Sequence, residues 1–394
     1  MTDVFGVRYV SALRAGSGQQ LDALTTMRAT SRTHWVVTRE NMMRTKIGIL
    51  FLLAISAPAA QASMFCVGNT AELLAALATA ETEFNVSEIK LKTGTYFAPA
   101  PNGFLFRGSQ GGSSWIGITG GWNSDCTART QSVYATLLQG NALGPVLWFN
   151  IPMASPSRRV YLENFMIVGG ETAANTSGGG LRYSGSYDGA FQELYLYNLL
   201  ISGNHSNYFA GGMDVYMGEG SVRLSNVLFS NNSASLQFGH GSVTIAKGDT
   251  VGGGVTVINS TFGNGSCNPG SGRGCGLALR TMNNAVANVY NSVFGSNVTG
   301  DLNFELTAAK HVYRSNVPSI LGVTTSLTDV ATFDPQLTPT CELPQNSPLI
   351  NWGMSVAELP FTPLGFDLVG QPRVNGRLDA GAFESPNQFR DGFE

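Results

Sequence analysis

Five stretches of this chain share one pattern: Val160-Tyr161-Leu162-Glu163-Asn164-Phe165-Met166-Ile167, Leu194-Tyr195-Leu196-Tyr197-Asn198-Leu199-Leu200-Ile201, Val222-Arg223-Leu224-Ser225-Asn226-Val227-Leu228-Phe229, Val255-Thr256-Val257-Ile258-Asn259-Ser260-Thr261-Phe262 and Ala287-Asn288-Val289-Tyr290-Asn291-Ser292-Val293-Phe294. Each is an alternating apolar run, an asparagine, and a second short apolar run. The asparagines are 34, 28, 33 and 32 residues apart. A period of that length is one coil of a solenoid. Between them lie Gly178-Gly179-Gly180, Ala210-Gly211-Gly212, Gly239-His240-Gly241 and Gly274-Cys275-Gly276, each followed by another alternating run. Alternation puts one side chain inside and the next outside. Asn and Gly tolerate the left-handed backbone of a sharp bend.

The pattern predicts an all-β fold, a single-stranded right-handed parallel β-helix. Its hand follows the general rule for parallel crossovers. Asn164, Asn198, Asn226, Asn259 and Asn291 are expected to stack as an amide ladder. One coil buries about five inward side chains at roughly 2 kcal/mol each. Ordering its thirty or so residues costs more than that, so coils are stable only when stacked.

Outward from the clear repeats at 159–297, the β-helix is expected to fill residues 63–384. Asn69-Thr70-Ala71-Glu72 reads as a helix N-cap with Glu at the third position. Leu73, Leu74, Leu77 and Ala80 follow at helical spacing. A short capping helix over the open N-terminal end is the reading, because bare terminal strands attract other chains. Ile89-Lys90-Leu91 and Thr93-Gly94-Thr95-Tyr96 look like the first coil.

Arg44 and Lys46, the apolar run from Ile47 to Ile55, and Ala60-Gln61-Ala62 make a secretory signal over 42–62. Residues 1–41 carry no repeat and read as an extension from a start assigned too early. The remaining chain has 16 basic and 23 acidic residues, a net charge of −7. That balance argues against a nucleic-acid partner, and no later run is long enough to span a membrane. All five cysteines lie in the exported part, where disulfides are permitted. Cys267 and Cys275 bracket a turn and could form a local staple. Cys66 could pair with Cys126, which leaves Cys341, although five thiols allow other pairings. No metal or other cofactor is expected.

Further blocks lie beyond the clear repeats: Phe333-Asp334-Pro335-Gln336-Leu337, Asn346-Ser347-Pro348-Leu349-Ile350-Asn351-Trp352-Gly353, Asp367-Leu368-Val369-Gly370-Gln371-Pro372-Arg373, and Arg377-Leu378-Asp379-Ala380-Gly381-Ala382-Phe383-Glu384. In this order they resemble the closing segment (333–384) of bacterial choice-of-anchor Q β-helix proteins, which share the pectin-lyase-like fold. Cys66-Val67-Gly68 and Gly120-Gly121-Trp122-Asn123-Ser124-Asp125-Cys126 resemble the front of such proteins. Asn346 and Asn351 stand where that family has Gly and Asp, so no role of that Asp carries over. The resemblance implies an exported cell-surface β-helix and no particular reaction. The tail 385–394 ends in Phe389-Arg390-Asp391-Gly392-Phe393-Glu394, similar to short endings of secreted gammaproteobacterial proteins.

Two functions compete. One is a structural, adhesive or glycan-binding surface module, monomeric, whose partner is an extracellular polysaccharide or cell-surface component. The other is a polysaccharide lyase or glycoside hydrolase. A lyase needs a base and commonly calcium, and the row after the glycine triples is where to look. Counting from the last glycine puts Arg182, Asp214, Val243 and Ala278 on one line, with Arg280 near. Arg182, Asp214 and Arg280 are therefore the candidate ligand-binding residues. His240 sits at the middle of a triple, where other coils carry Gly179, Gly211 and Cys275, and reads as structural. Outward tyrosines among Tyr183, Tyr195, Tyr197, Tyr216 and Tyr290 are candidates for stacking on sugar rings; the competing reading turns half of them into core.

Overall fold

The computed structural model describes residues 62–385, apart from 84–85, 109–114, 152–156, 174–175, 186–190, 236–238, 249–252, 269–273, 282–284, 306–308, 323, 362–363 and 374–376. Residues 60–394 form one unit. The expected leader up to residue 61, the segment before it and the tail from 386 lie outside the described residues.

The chain winds as a parallel β-helix. Its long sheet runs Ser63–Val67, Val86–Lys92, Trp115–Trp122, Arg158–Val168, Gln192–Ser202, Gly220–Ser230, Gly254–Ile258, Val286–Tyr290, Lys310–Tyr313 and Ser326–Thr328 in that order, each strand parallel to the last. A second sheet stacks eight strands from Phe104–Arg107 to Ile320–Leu321 in the same sense. A third links Glu171–Thr172, His205–Ser206 and Ser233–Ala234. The first rung is Ser63–Val67, ahead of the helix, one rung earlier than the expected Ile89. At the far end Lys310–Tyr313 and Ser326–Thr328 add two rungs beyond the clear repeats.

Alternation does the work that the sequence pattern implies. Ile89, Ile118, Leu162, Leu196, Leu224, Val257, Val289 and Val312 pair in register as one buried inward column. Phe229, Phe262 and Phe294 stack one above the next, with ring centroids 5.2 Å and 4.6 Å apart. Helix Thr70–Thr82 closes the N-terminal end. Asn69 caps it by accepting from Glu72 N (3.0 Å), and Glu72 Oε2 accepts from Gly68 N (2.6 Å). Its buried residues are Leu73, Ala76, Leu77 and Ala80; Ala76 takes the inward place expected of Leu74, which is only partly buried.

All five pivot asparagines hold positive φ, between 45° and 65°. Asn198 Nδ2 donates to Asn164 Oδ1 (2.7 Å), and Asn226 Nδ2 donates to Asn198 Oδ1 (2.7 Å). The amide ladder stops there, short of the five-member column expected. Arg373 Nη2 donates to Asn226 Oδ1 (2.5 Å), taking the acceptor that Asn259 would have used. Asn259 keeps its bend, but its side-chain amide makes no hydrogen bond. Asn291 Oδ1 accepts from Met354 N at 2.6 Å. From here a hydroxyl ladder takes over: Val227 N donates to Ser260 Oγ, Ser260 N to Ser292 Oγ, and Ser292 N to Ser315 Oγ.

A second asparagine column sits six residues on, at Asn204, Asn232 and Asn297. Asn204 Nδ2 donates to Asn232 Oδ1 (3.1 Å), Asn204 Oδ1 accepts from Gly170 N, and Asn297 Oδ1 accepts from Gly265 N. This column packs against the last glycine of two of the triples. A Cβ on Gly180 would lie 2.8 Å from Asn204 Nδ2, and one on Gly212 would lie 2.9 Å from Asn232. The nearest obstacle at both is backbone, Gly212 O at 2.5 Å and Ser242 O at 2.6 Å, so these glycines also let successive rungs approach.

The closing segment lies outside the solenoid and straps it. Met166, Leu200, Leu228, Thr261 and Val293 form an outward column in register, just past the pivots. Leu337, Cys341, Leu368, Val369, Ala382 and Phe383 cover Met166, Leu200 and Leu228, while Leu349 and Ala380 cover Val293. Backbone bonds tie the strap down: Val133 N donates to Leu368 O (3.0 Å) and Gly381 N to Asn291 O (2.7 Å). Cys66–Cys126 and Cys267–Cys275 are disulfides, and Cys341 is a buried free thiol under the strap.

Candidate functional site

Two outward faces carry concentrated polar chemistry. The first is the second sheet, where the candidate residues Arg182, Asp214 and Arg280 lie. Strand register places Trp148, Arg182, Asp214, Thr244, Ala278 and Asn303 on one row. Thr244 occupies the place that counting from the glycines gave to Val243. The bend Gly239–Ser242, with Gly241 at φ 57°, is one residue longer than its neighbours, and one residue flips a strand's faces. Val243 is core.

Arg182 stacks on the Trp148 ring at 4.6 Å and is the rung neighbour of Asp214. Burial pushes the Asp214 carboxyl up, against a hydrogen bond from Ser177 and the charges of Arg182 and Arg280. Burial likewise lowers the Arg182 guanidinium, against Asp214. Arg280 is one residue pair along: its Nε meets Glu305 Oε2 at 2.8 Å. The other oxygen of Glu305 faces His240 Nε2 at 3.4 Å. His240 is wholly buried, with its ring 6.5 Å from that of Phe209. The sequence reading of His240 as merely the middle of a triple missed this contact; Glu305, four coils from the glycine rule's start, carried no motif to flag it. Among the described residues, no three His, Cys, Asp or Glu side chains converge to hold a metal ion.

The second face is the long sheet ahead of the pivots. Gly117, Tyr161, Tyr195 and Arg223 share one row; Thr119, Glu163, Tyr197 and Ser225 share the next. Trp115 starts one position earlier but lies across Gly117, where a Cβ would meet its ring at 2.6 Å. The Trp115 and Tyr161 rings are then 6.4 Å apart, Tyr161 and Tyr197 5.2 Å, and Tyr195 and Tyr197 6.2 Å edge-on. The result is a half-buried aromatic lane that runs along the helix axis, across strands.

Ion pairs border the lane on both sides. Arg129 makes a two-point contact with Glu163, at 2.8 and 2.9 Å. Arg159 Nε donates to Glu193 Oε2 at 2.6 Å. The tyrosine hydroxyls serve the same carboxylates: Tyr161 donates to Glu163 (2.9 Å) and Tyr195 to Glu193. Lys90 and Arg129 lie over Trp122, at 4.1 and 5.7 Å, beside the lane. Burial, reinforced by Glu163, raises the Tyr161 phenol; burial also raises those of Tyr195 and Tyr197. Burial raises the Glu88 carboxyl, against Lys90 and Arg129. Toward the C-terminal end the same face is covered: Leu359, Phe361 and Met354 pack on Ile258 and Tyr290, and Arg223 lies 4.2 Å over Phe361.

Of the tyrosines considered for stacking, Tyr195 and Tyr197 are in the lane. Tyr183 is core and donates to Gln192 Oε1 (3.1 Å). Tyr216 is exposed on the second sheet, and Tyr290 stacks on Tyr313 at 4.8 Å beside the strap. Tyr161 and Trp115 were not among them, although Tyr161 sits in the first quoted repeat at the position of Tyr195.

No family profile, curated protein or solved structure matches this chain. Among the described residues no helix is long and apolar enough to cross a membrane.

Proposed function

We propose that the protein is an exported bacterial β-helix displayed at the cell surface, where its long sheet binds polysaccharide. The observation that carries this reading is the lane of Trp115, Tyr161, Tyr197 and Tyr195, carried on three successive strands of the ladder and edged by charged groups. Aromatic faces accept the apolar side of a sugar ring, and neighbouring carboxylates and guanidinia accept and donate to its hydroxyls. Two disulfides suit an oxidising compartment. The closing blocks' resemblance to choice-of-anchor Q proteins supports the surface location, and the strap gives those blocks a structural role.

The test is fractionation followed by glycan arrays. The chain made from its full reading frame in a bacterial host is expected outside the cytoplasm, oxidised, and positive on polysaccharide spots. A chain retained in the cytoplasm with reduced thiols, or one blank on every glycan, would overturn the reading.

A second reading, a lyase or hydrolase, is favoured by Glu305 between Arg280 and His240, with Asp214 and Arg182 on the same sheet. A carboxylate bracketed by a histidine and an arginine is an acid–base arrangement. Release of unsaturated or newly reducing sugar from a polysaccharide, lost in Glu305→Gln, would establish it. Intact polymer after prolonged incubation would remove it.

A further inference from the structure

We infer that the aromatic lane takes an uncharged polysaccharide, laid along the β-helix axis from the Trp115 rung toward Arg223. This rests on the proposal that the protein binds polysaccharide and adds which class and in which direction.

The direction follows from the rungs. Trp115, Tyr161 and Tyr195 belong to three successive strands of the long sheet. Successive rungs are about 4.8 Å apart, so the lane advances about 10 Å along the axis from first ring to last. Along the strands it is narrow, because Arg159–Glu193 edges one side and Arg129–Glu163 the other. A ligand lying along a strand would cross both ion pairs; one lying along the axis passes between them.

The class follows from the charge. Glu163 is held at two points by Arg129, and Glu193 is held by Arg159. Tyr161 and Tyr195 spend their hydroxyl protons on the same two carboxylates. Lys90 and Arg129 lie over Trp122, and Arg223 lies between the rings of Tyr195 and Phe361, at 5.4 and 4.2 Å. A polyuronate or a sulfated chain would have to take Arg129 or Arg159 from its carboxylate, leaving Glu163 or Glu193 unpaired in a buried or half-buried place, or draw Lys90 or Arg223 off an aromatic ring. Such an exchange gains little. A neutral sugar keeps every ion pair. It offers C–H faces to the rings and hydroxyls to the carboxylate lone pairs and guanidinium N–H groups that remain.

The experiment is native affinity electrophoresis of the full chain in gels that contain dextran, mixed-linkage β-glucan, xylan or galactomannan, and in parallel polygalacturonate or alginate. Retardation by at least one neutral polymer is expected, unchanged from low to high salt, with none by the acidic pair. Tyr161→Ala with Tyr197→Ala is expected to weaken binding about tenfold or more, an effect of at least about 1.4 kcal/mol. The melting curve of the double variant is read alongside, so that weaker binding counts only for a folded chain. Retardation only by the acidic polymers, abolished by salt, would overturn the neutral assignment and leave polysaccharide binding standing. Retardation by none of the six would overturn both. Neutral binding untouched by the double alanine variant, with its melting curve showing a folded chain, would remove the lane as the site.

Discussion

Arg373 Nη1 donates to Glu384 Oε2 at 2.7 Å with both side chains almost fully buried. The same guanidinium reaches Asn226 and the Gly381 carbonyl, so one cation joins two blocks of the strap to a pivot of the solenoid. Two aspartates complete the knot. Asp367 Oδ2 accepts from Glu384 N (2.9 Å), and Asp379 Oδ1 accepts from Asn351 N (2.7 Å).

Removing one member of a buried pair leaves the other uncompensated, which costs about 3–5 kcal/mol. Arg373→Met is therefore expected to lower stability by that order in urea melts. Arg373→Met with Glu384→Leu is expected to recover most of it. A double variant as unstable as the single one would mean that Arg373 matters through Asn226 and Gly381 instead.

Burial pushes the Glu384 carboxyl up to about 7 from 4.5, against the opposing charge of Arg373. Asp379 is raised by burial too. A carboxyl raised in the folded state binds more protons there than in the unfolded chain. Its contribution is full below about 4.5 and is lost as pH rises through about 7. Denaturant midpoints are expected to fall across that window, and Glu384→Gln is expected to flatten the slope. An unchanged slope in Glu384→Gln would assign the pH dependence elsewhere.

Asn198 both accepts from Asn226 and donates to Asn164, and it sits at φ 49°. Asn198→Ala loses hydrogen bonds worth about 1 kcal/mol each and keeps a Cβ at positive φ without the polar side chain that lets Asn tolerate it, a cost of roughly 1–2 kcal/mol. Asn198→Gly loses only the bonds. Thermal melts are expected to rank wild type above Gly and Gly above Ala; equal melts for Gly and Ala would show that the bend geometry carries no cost.

The two disulfides close loops of very different length, with separations of 60 and 8 residues. Chain entropy assigns roughly 4 kcal/mol to the longer and roughly 2–3 kcal/mol to the shorter. Cys126→Ser is expected to lower Tm by more than Cys275→Ser does. The opposite ranking in calorimetry would point to native-state strain and not loop closure as the governing factor.

Gly117→Ala is expected to move Trp115, whose ring occupies the space of the missing Cβ at 2.6 Å. A red shift and a change in quenching of tryptophan fluorescence, with far-UV dichroism unchanged, would report it. Identical emission would mean that the ring has another seat.

The winding of the chain was legible because two signals agree at the five clear repeats: period-two alternation and a residue that tolerates positive φ at a nearly fixed beat. The third sheet was nearly invisible, since its three strands, Glu171–Thr172, His205–Ser206 and Ser233–Ala234, are two residues long. The asparagines at 204, 232 and 297 were equally readable, six places past Asn198, Asn226 and Asn291, yet they do not sit at the alternation boundary that draws the eye. The strap had a plainer signal. Leu199-Leu200-Ile201 and Val227-Leu228-Phe229 do not alternate, and an unbroken apolar run means both faces are covered. Which segment covers them is a contact across 140 residues or so, as from Asn226 to Phe366, and no local pattern encodes it. The candidate residues fared unevenly for the same reason. Arg182 and Asp214 are rung neighbours as the glycine count required, whereas one extra residue at Gly239–Ser242 put Thr244 in the row.

The strap also sets an order of assembly. Leu368 and Ala382 dock on Val133 and Thr261, made 235 and 121 residues earlier. Coils can stack one by one as the polypeptide emerges, but the greasy stripe at Met166, Leu200 and Leu228 stays wet until the final stretch arrives. A ribosome that stops early, or a protease that trims the end, leaves a wound scaffold with an adhesive seam. Quality control needs to read nothing more than that seam to tell a finished copy from an unfinished one.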